Sequence, residues 1–485
     1  MKRMERILLA VLISMSAASA GAAKPDYDAQ AEESAFNAAT QMYQETGRDK
    51  LAVIQAFENY LGQFSRSPRA IDVEFLIGEA YLQHALSILK AEASAKKTST
   101  ARLLAPKNPA AVKALEDARK AYQSVLGDKK SGLASSAQYR LGEVAYNEKN
   151  WEKAVEEFKD VDRRYPKAYL NPEALMGIIY SDLALEQFSQ AEANIFLLGE
   201  TFPTFLREPV VLYAQGIVGL HKGDYSGAER ALKEVKTAEA AYYLGKTYLL
   251  SKRAYLAAAA FENLIRDYPD SELKEEARFF IGDSFFLAED FNGAIAKYQS
   301  FISLYPESSL RVSALFRIGS SYFQKKDYVE ARANFQAVLD RYPKDFFAPL
   351  AQFFTAESHL IAGQSREALF AYTKVITQYP DAVKIAPLAY FKLAWCQQQV
   401  GDYMQAIQTG SNFVSQYPNH ALAKNIYLIM ANAQISLKRY AEATSSFQRI
   451  IDLAPSSEIA EQSLFSILKN QYDQKAFNSI LTSYQ

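Results

Sequence analysis

The side chains best suited to chemistry are few and scattered. His84, His221, His359 and His420 are the four imidazoles of the 485-residue chain, and Cys396 is its single thiol. A zinc-type site needs such ligands a few residues apart, whereas these lie in separate stretches. No G-x-S-x-G elbow, H-E-x-x-H pair or Cys/His nucleophile arrangement occurs. LGKTY at 244–248 resembles the end of a phosphate-binding loop. That loop also needs a glycine five positions before Gly245, where the chain has Ala240, and a preceding strand. Carboxylates are plentiful, as solvated helix faces require in a chain that is 22% charged. No catalytic residue, metal site or cofactor is expected, so the functional question moves from a reaction to a surface. Charge gives that surface no general sign: 54 basic side chains face 55 acidic ones, so no overall field draws nucleic acid. The richest basic window, Lys90 to Lys130, reads as a solvated helix face.

The elements that would build such a surface recur. Prolines at 166, 203, 269, 306, 343, 380, 418 and 455 follow Tyr, Phe or Ala, mostly 37 residues apart. Twelve residues before each lies an alanine: Ala154, Ala191, Ala257, Ala294, Ala331, Ala368, Ala406 and Ala443. Twelve before that lies another small residue in all but one copy, as at Gly142, Gly245, Gly282, Gly319, Ala356, Ala394 and Ala431. A further copy with Gly216 and Ala228 lacks the proline. Apolar residues recur at three and four, as in Leu315, Ile318, Gly319 and Tyr322, then Ala331, Phe335, Val338 and Leu339. That is the stripe of two amphipathic helices. Short polar turns such as KKDY and AEDF join them, the small residues let their backbones approach, and proline ends the unit. A lone hairpin of this kind cannot bury both faces, so each unit must lean on the next.

The spacing small-x11-Ala-x3-aromatic-x7-Pro, as in Gly282, Ala294, Tyr298 and Pro306, resembles the tetratricopeptide repeat. The resemblance implies an all-α, right-handed superhelical solenoid of about eleven helix-turn-helix repeats plus a partial C-terminal one. The family's period is about 34 residues, and the three extra residues here fall after the proline, implying a longer corner or an added helical turn. The resemblance also implies that first helices line a concave groove, notably three positions before the small residue. That position holds Tyr139, Tyr213, Tyr242, Phe279, Phe316, Phe353 and Phe391, with Trp395, Tyr180, Asp283 and Glu357 among the residues four later. Such rings could anchor a partner segment in a groove; alternatively, the longer repeats draw them into the core between repeats. Tyr-Pro corners, the long period and the N-terminus together resemble exported bacterial repeat proteins of the outer-membrane assembly lipoprotein (BamD) and Tol-Pal coordinator (YbgF/CpoB) types.

That N-terminus places Lys2, Arg3 and Arg6 before an apolar run and then offers A-x-A sites at Ala18–Ala20 and Ala20–Ala22, the order of a secretory signal peptide. The expected organisation is a signal peptide at 1–23; divergent repeats at 24–130, with a 28-residue insertion around 83–110; a sub-array at 131–237; and a second at 238–485. Export to the periplasm follows, with no membrane span in the mature chain and, because no cysteine follows the apolar run, no lipid anchor. The expected function is a non-catalytic interaction scaffold of the cell envelope, supporting outer-membrane assembly or a secretion complex. Its partners would be envelope proteins, not nucleic acid or a small-molecule substrate. A helical accessory region of an envelope enzyme, such as a peptidoglycan lytic enzyme, is the alternative, because the last unit ends abruptly at KAFNSILTSYQ. A carrier of small hydrophobic molecules fits less well, since an open solenoid lacks an enclosed pocket.

Overall fold

The computed structural model describes residues 27–45, 49–95, 105–128 and 131–474. The expected signal peptide, part of the insertion (96–104) and the last eleven residues lie outside them. Among the described residues every regular element is helical: eleven antiparallel pairs of α-helices, one single α-helix and one short 3-10 helix, Pro203–Arg207. They fall into two compact units, Met1–Lys274 and Glu275–Gln485.

The first unit pairs α1 (Ala29–Gln44) with α2 (Lys50–Gln63), α3 (Ala70–Ala95) with α4 (Pro109–Gly127), and α5 (Ala134–Asn147) with α6 (Trp151–Arg164). It continues with α7 (Asn171–Ala184) and α8 (Phe188–Thr201), α9 (Pro209–Lys222) and α10 (Tyr225–Lys233), then α11 (Ala238–Leu250) and α12 (Ala254–Asp267). The second unit pairs α13 (Lys274–Leu287) with α14 (Phe291–Leu304), α15 (Arg311–Gln324) with α16 (Tyr328–Arg341), and α17 (Ala348–Ile361) with α18 (Ser365–Gln378). It ends with α19 (Ala386–Gln399) and α20 (Tyr403–Gln416), α21 (Ala423–Ser436) and α22 (Tyr440–Leu453), and the single α23 (Glu458–Asp473). Within each unit, helices pack on their neighbours in sequence, and first helices also touch the first helix of the next repeat, as α5 does α7 and α19 does α21.

The period of 37 has a simple composition. Two fourteen-residue helices are joined by a three-residue turn, Lys325–Asp327 in one copy, and followed by a six-residue corner, Tyr305–Leu310 in another. The extra residues therefore lengthen the corner, not the helices. Each corner opens with Tyr or Phe, or with Ala454 in the last copy, at a positive ψ outside the helical region, such as φ -130° and ψ 67° at Tyr305, in keeping with the bias of the residue before proline away from the helical conformation. Its N–H still closes the helix: Tyr305 N–H donates to Phe301 C=O at 2.9 Å, and Tyr305 C=O accepts from Ser308 N–H at 3.2 Å. Proline thus sits second in a tight turn, where its fixed φ is favourable. The insertion lengthens α3 to 26 residues before leaving the described region. The copy without a proline shortens its second helix, α10, to nine residues.

The three-residue turns share a feature that their sequences hide. The residue five before the recurring alanine has a left-handed backbone in all nine regular copies: glycine at Gly223, Gly363 and Gly401, but Lys149, Glu186, Lys252, Glu289, Lys326 and Lys438 elsewhere. Asp224, Asp290, Asp327 and Asp402 follow and cap the second helix, each accepting from a backbone N–H three residues on.

Candidate functional site

The small residues are seams that set how closely each pair closes. A Cβ added at Gly282 would stand 2.5 Å from the Tyr298 ring, and one at Gly142 would stand 2.5 Å from Phe158. Each ring is buried and contributes about 1.5–3 kcal/mol of apolar burial. Fixing the seam fixes which way the first helix turns its remaining faces.

Those faces receive the aromatic positions unequally. Tyr139, Tyr242, Phe279 and Phe316 are buried. Tyr139 tilts against Phe158 at 5.5 Å, Tyr242 meets Phe261 edge-on at 6.0 Å, and Phe279 reaches Tyr298 at 5.6 Å. Phe316 packs on Phe335, Phe347 and Phe354. Tyr213, Phe353 and Phe391 are half-buried against neighbouring core clusters, and Trp395 is 39% exposed.

The accompanying carboxylates are tied down. Tyr298 Oη donates to Asp283 Oδ1 at 2.5 Å, and Arg317 of the next repeat pairs with the same oxygen at 3.2 Å. Tyr372 donates to Glu357, and Lys392 of the next repeat pairs with Glu357 at 3.1 Å. In the first unit Tyr122 Oη donates to Glu79 at 2.7 Å, and Arg140 pairs with Glu79 at 2.6 Å. One device occurs three times: an acid after the small residue, a tyrosine on the second helix, and a base two positions before the next small residue. It fastens successive repeats, so Asp283 and Glu357 are packing groups.

The first unit also holds an open, mostly apolar cleft of about 480 Å³, within the usual range for ligand pockets. First helices line most of it: Leu82 and Leu86 from α3, Tyr139, Glu143 and Tyr146 from α5, Met176 and Tyr180 from α7, with Val210 from α9. Tyr180 donates to Val210 C=O at 3.2 Å and stacks on Tyr213 at 6.3 Å, and Tyr213 meets Tyr243 edge-on at 6.0 Å. Burial pushes the Tyr146, Tyr180 and Tyr213 phenols up, so all three stay neutral donors. On the wall, Arg140 pairs with both Glu79 and Glu143, and Tyr139 Oη donates to Glu143 at 3.3 Å. Glu173, in the first turn of α7, also lines the cleft. Its Oε2 is sealed from solvent and has no protein partner. Burial chiefly holds this carboxyl above its usual range; its own backbone N–H pulls the other way, and Glu208 adds to the rise.

The structure therefore gathers Tyr139, Tyr180 and Tyr213 at or beside one cleft of the first unit. Tyr146, Tyr243 and Glu173 join them without a signal in the repeat register. Their positions relative to the small residue differ from copy to copy, and only the packing brings them together.

The sequence matches the outer membrane lipoprotein family YfiO over residues 132–236. It matches one tetratricopeptide repeat family over 239–271, 276–308, 313–345 and 388–420, and a second over 425–457. No curated protein matches by sequence. Similar solved structures include a tetratricopeptide repeat protein from Parabacteroides merdae, 13% identical over 53% of this chain and 99% of that one, with a TM-score of 0.39. MamA is 18% identical over 38% and 94%, with a TM-score of 0.32. YrrB, described as a TPR protein with an unusual peptide-binding site, is 16% identical over 42% and 98%, with a TM-score of 0.32. The chain carries tetratricopeptide repeats between residues 239 and 457, and its segment 132–236 resembles an outer membrane lipoprotein.

Proposed function

We propose that the chain is an exported, non-catalytic scaffold of the bacterial cell envelope that holds partner proteins on its first-helix faces, in support of outer-membrane assembly or a secretion complex. The observation that carries the reading is the cleft of the first unit, an open apolar groove edged by tyrosine rings and hydroxyls. Rigid amphipathic rings of this kind anchor protein partners at low entropic cost. Most of its lining, from Tyr139 to Val210, falls inside the segment that matches the outer membrane lipoprotein family. The charge-apolar-small order of residues 1–22 supports export. No described helix is long and apolar enough to cross a membrane. Trp395, Phe391 and Phe353 are proposed as a second, weaker contact line on the other unit, where they keep part of their rings in solvent.

Affinity isolation of the tagged chain from envelope extracts, repeated with Tyr180→Ala, tests the reading. A protein retained by the wild type and lost from the variant, with circular dichroism unchanged, is the expected result. Equal recovery by both removes the cleft from the account, and recovery of the chain only from the cytoplasmic fraction removes export.

A further inference from the structure

We infer that the cleft of the first unit takes a cationic side chain, arginine or lysine, presented on an apolar segment of the partner protein. The inference rests on the scaffold reading and adds the chemistry of what is gripped. Glu79, Glu143 and Glu173 line the cleft against one cation, Arg140. Arg140 is spent, since it pairs with both Glu79 and Glu143. Two formal negative charges thus remain over a lining whose other polar side chains, Gln83, Asn147 and the tyrosines, are neutral, and Glu208 and Glu239 add to the local potential felt by Glu173 and by Tyr180 and Tyr213.

Glu173 is the decisive group. An acid in the first turn of a helix is ordinarily stabilised by the helix end, and its own backbone N–H bond fits that role. That role leaves Oε2 sealed and without a protein partner, which buried polar atoms rarely are. A neutral apolar occupant would bury this carboxylate further with nothing to bind it, and an anionic one would repel it. With its side chain turned to bring Oε2 into the cleft, the carboxylate would take a charge-assisted hydrogen bond from a guanidinium or ammonium. Its alkyl stem would lie along Leu86, Met176 and Val210, as long cationic side chains do on apolar surface. Tyr146 and Tyr180 offer ring faces that favour cations; Tyr146 already draws the ammonium of Lys149 to 5.8 Å from its centroid.

The test is ligand-observed saturation-transfer NMR on the full chain with acetyl-Leu-Arg-Leu-amide and its citrulline counterpart, which has nearly the same shape without the charge. The arginine peptide is expected to bind in the millimolar range, at least tenfold more tightly than the citrulline peptide. Glu173→Gln should cut that affinity at least fivefold without lowering the melting temperature, and Met176→Lys, which brings its own ammonium to the cleft, should block the peptide. Equal binding of the two peptides, or binding of neither, overturns the inference. If Tyr180→Ala still loses a partner protein from envelope extracts in that case, the scaffold reading survives with an uncharged segment in the cleft. If it does not, both readings fail.

Discussion

Replacing Gly319 by alanine tests the seam that every repeat relies on. The added Cβ would stand 2.7 Å from both Cδ1 and Cε1 of Phe335, about 1 Å inside a normal carbon contact. Phe335 cannot step aside freely: it is fully buried and held by Phe316 at 5.5 Å and Phe354 at 5.8 Å. Overpacking of this size costs about 1–3 kcal/mol, and alanine's better helix propensity returns at most about 1 kcal/mol. Ala356 shares a core cluster with Tyr372, and Ala431 shares one with Phe447, at the same register. A seam one methyl wider can therefore be built, which keeps the expected net loss near ~1–2 kcal/mol. The control is Gly62→Ala, also helical, where a Cβ meets nothing within 4 Å. The two changes reduce unfolded-chain entropy alike, so their difference isolates the contact. At roughly 2–4 °C per kcal/mol, thermal melting should show Gly319→Ala falling by several degrees and Gly62→Ala level or rising. A rise at Gly319 equal to that at Gly62 would refute the close-seam account.

Three further outcomes follow from the same geometry. Lys326→Gly relieves a left-handed backbone that costs a side-chain-bearing residue about 1–2 kcal/mol; after glycine's greater unfolded-state entropy, chemical denaturation should show a gain of ~0.5–1 kcal/mol, and Gly363→Ala a comparable loss. The Cys396 thiol is buried, and burial pushes its pKa up to about 11, so it should resist a thiol reagent in the folded chain and react stoichiometrically in denaturant; rapid native labelling would contradict the placement of α19. Burial chiefly raises the Asp283 carboxyl, outweighing its Arg317 and Tyr298 partners. With the folded pKa above the unfolded one, its ionisation costs stability as pH rises through the folded value. The melting temperature of Asp283→Asn, relative to wild type, should therefore improve from pH 4 to pH 7, and a change in the other direction would reverse the assigned cause.

Much of the fold is legible in the sequence because each feature reports a local rule. Proline marks a corner, alanine and glycine mark the seam, and the interval between them counts whole helices. What is hidden depends on neighbours. Lys326 and Glu289 give no sign of a left-handed backbone; that conformation is imposed by the two helices they join, and only Gly223, Gly363 and Gly401 advertise it. Asp283 and Glu357 read as carboxylates flanking a groove, yet the next repeat supplies Arg317 and Lys392 to hold them. The tie is visible in hindsight: Tyr122, Tyr298 and Tyr372 stand where the second helix meets an acid, while Phe261 and Phe335 stand opposite Lys246 and Ser320. The aromatic positions lie on first helices, but register along one helix does not say how far the next repeat closes over a ring. Tyr139, Phe279 and Phe316 are consequently buried, while the cleft depends on Tyr146, Met176 and Glu173.

The most direct measurement of the scaffold claim is an in-cell photo-crosslinking scan with p-benzoylphenylalanine. It would be placed in turn at Tyr146, Met176 and Tyr180 in the cleft and Tyr213 beside it, and at Glu156, Phe196 and Tyr255 on exposed second-helix surface. The account predicts discrete partner adducts from the cleft positions and few or none from the second-helix positions. Adducts confined to Phe196 and Tyr255, or spread evenly over all seven sites, would contradict it.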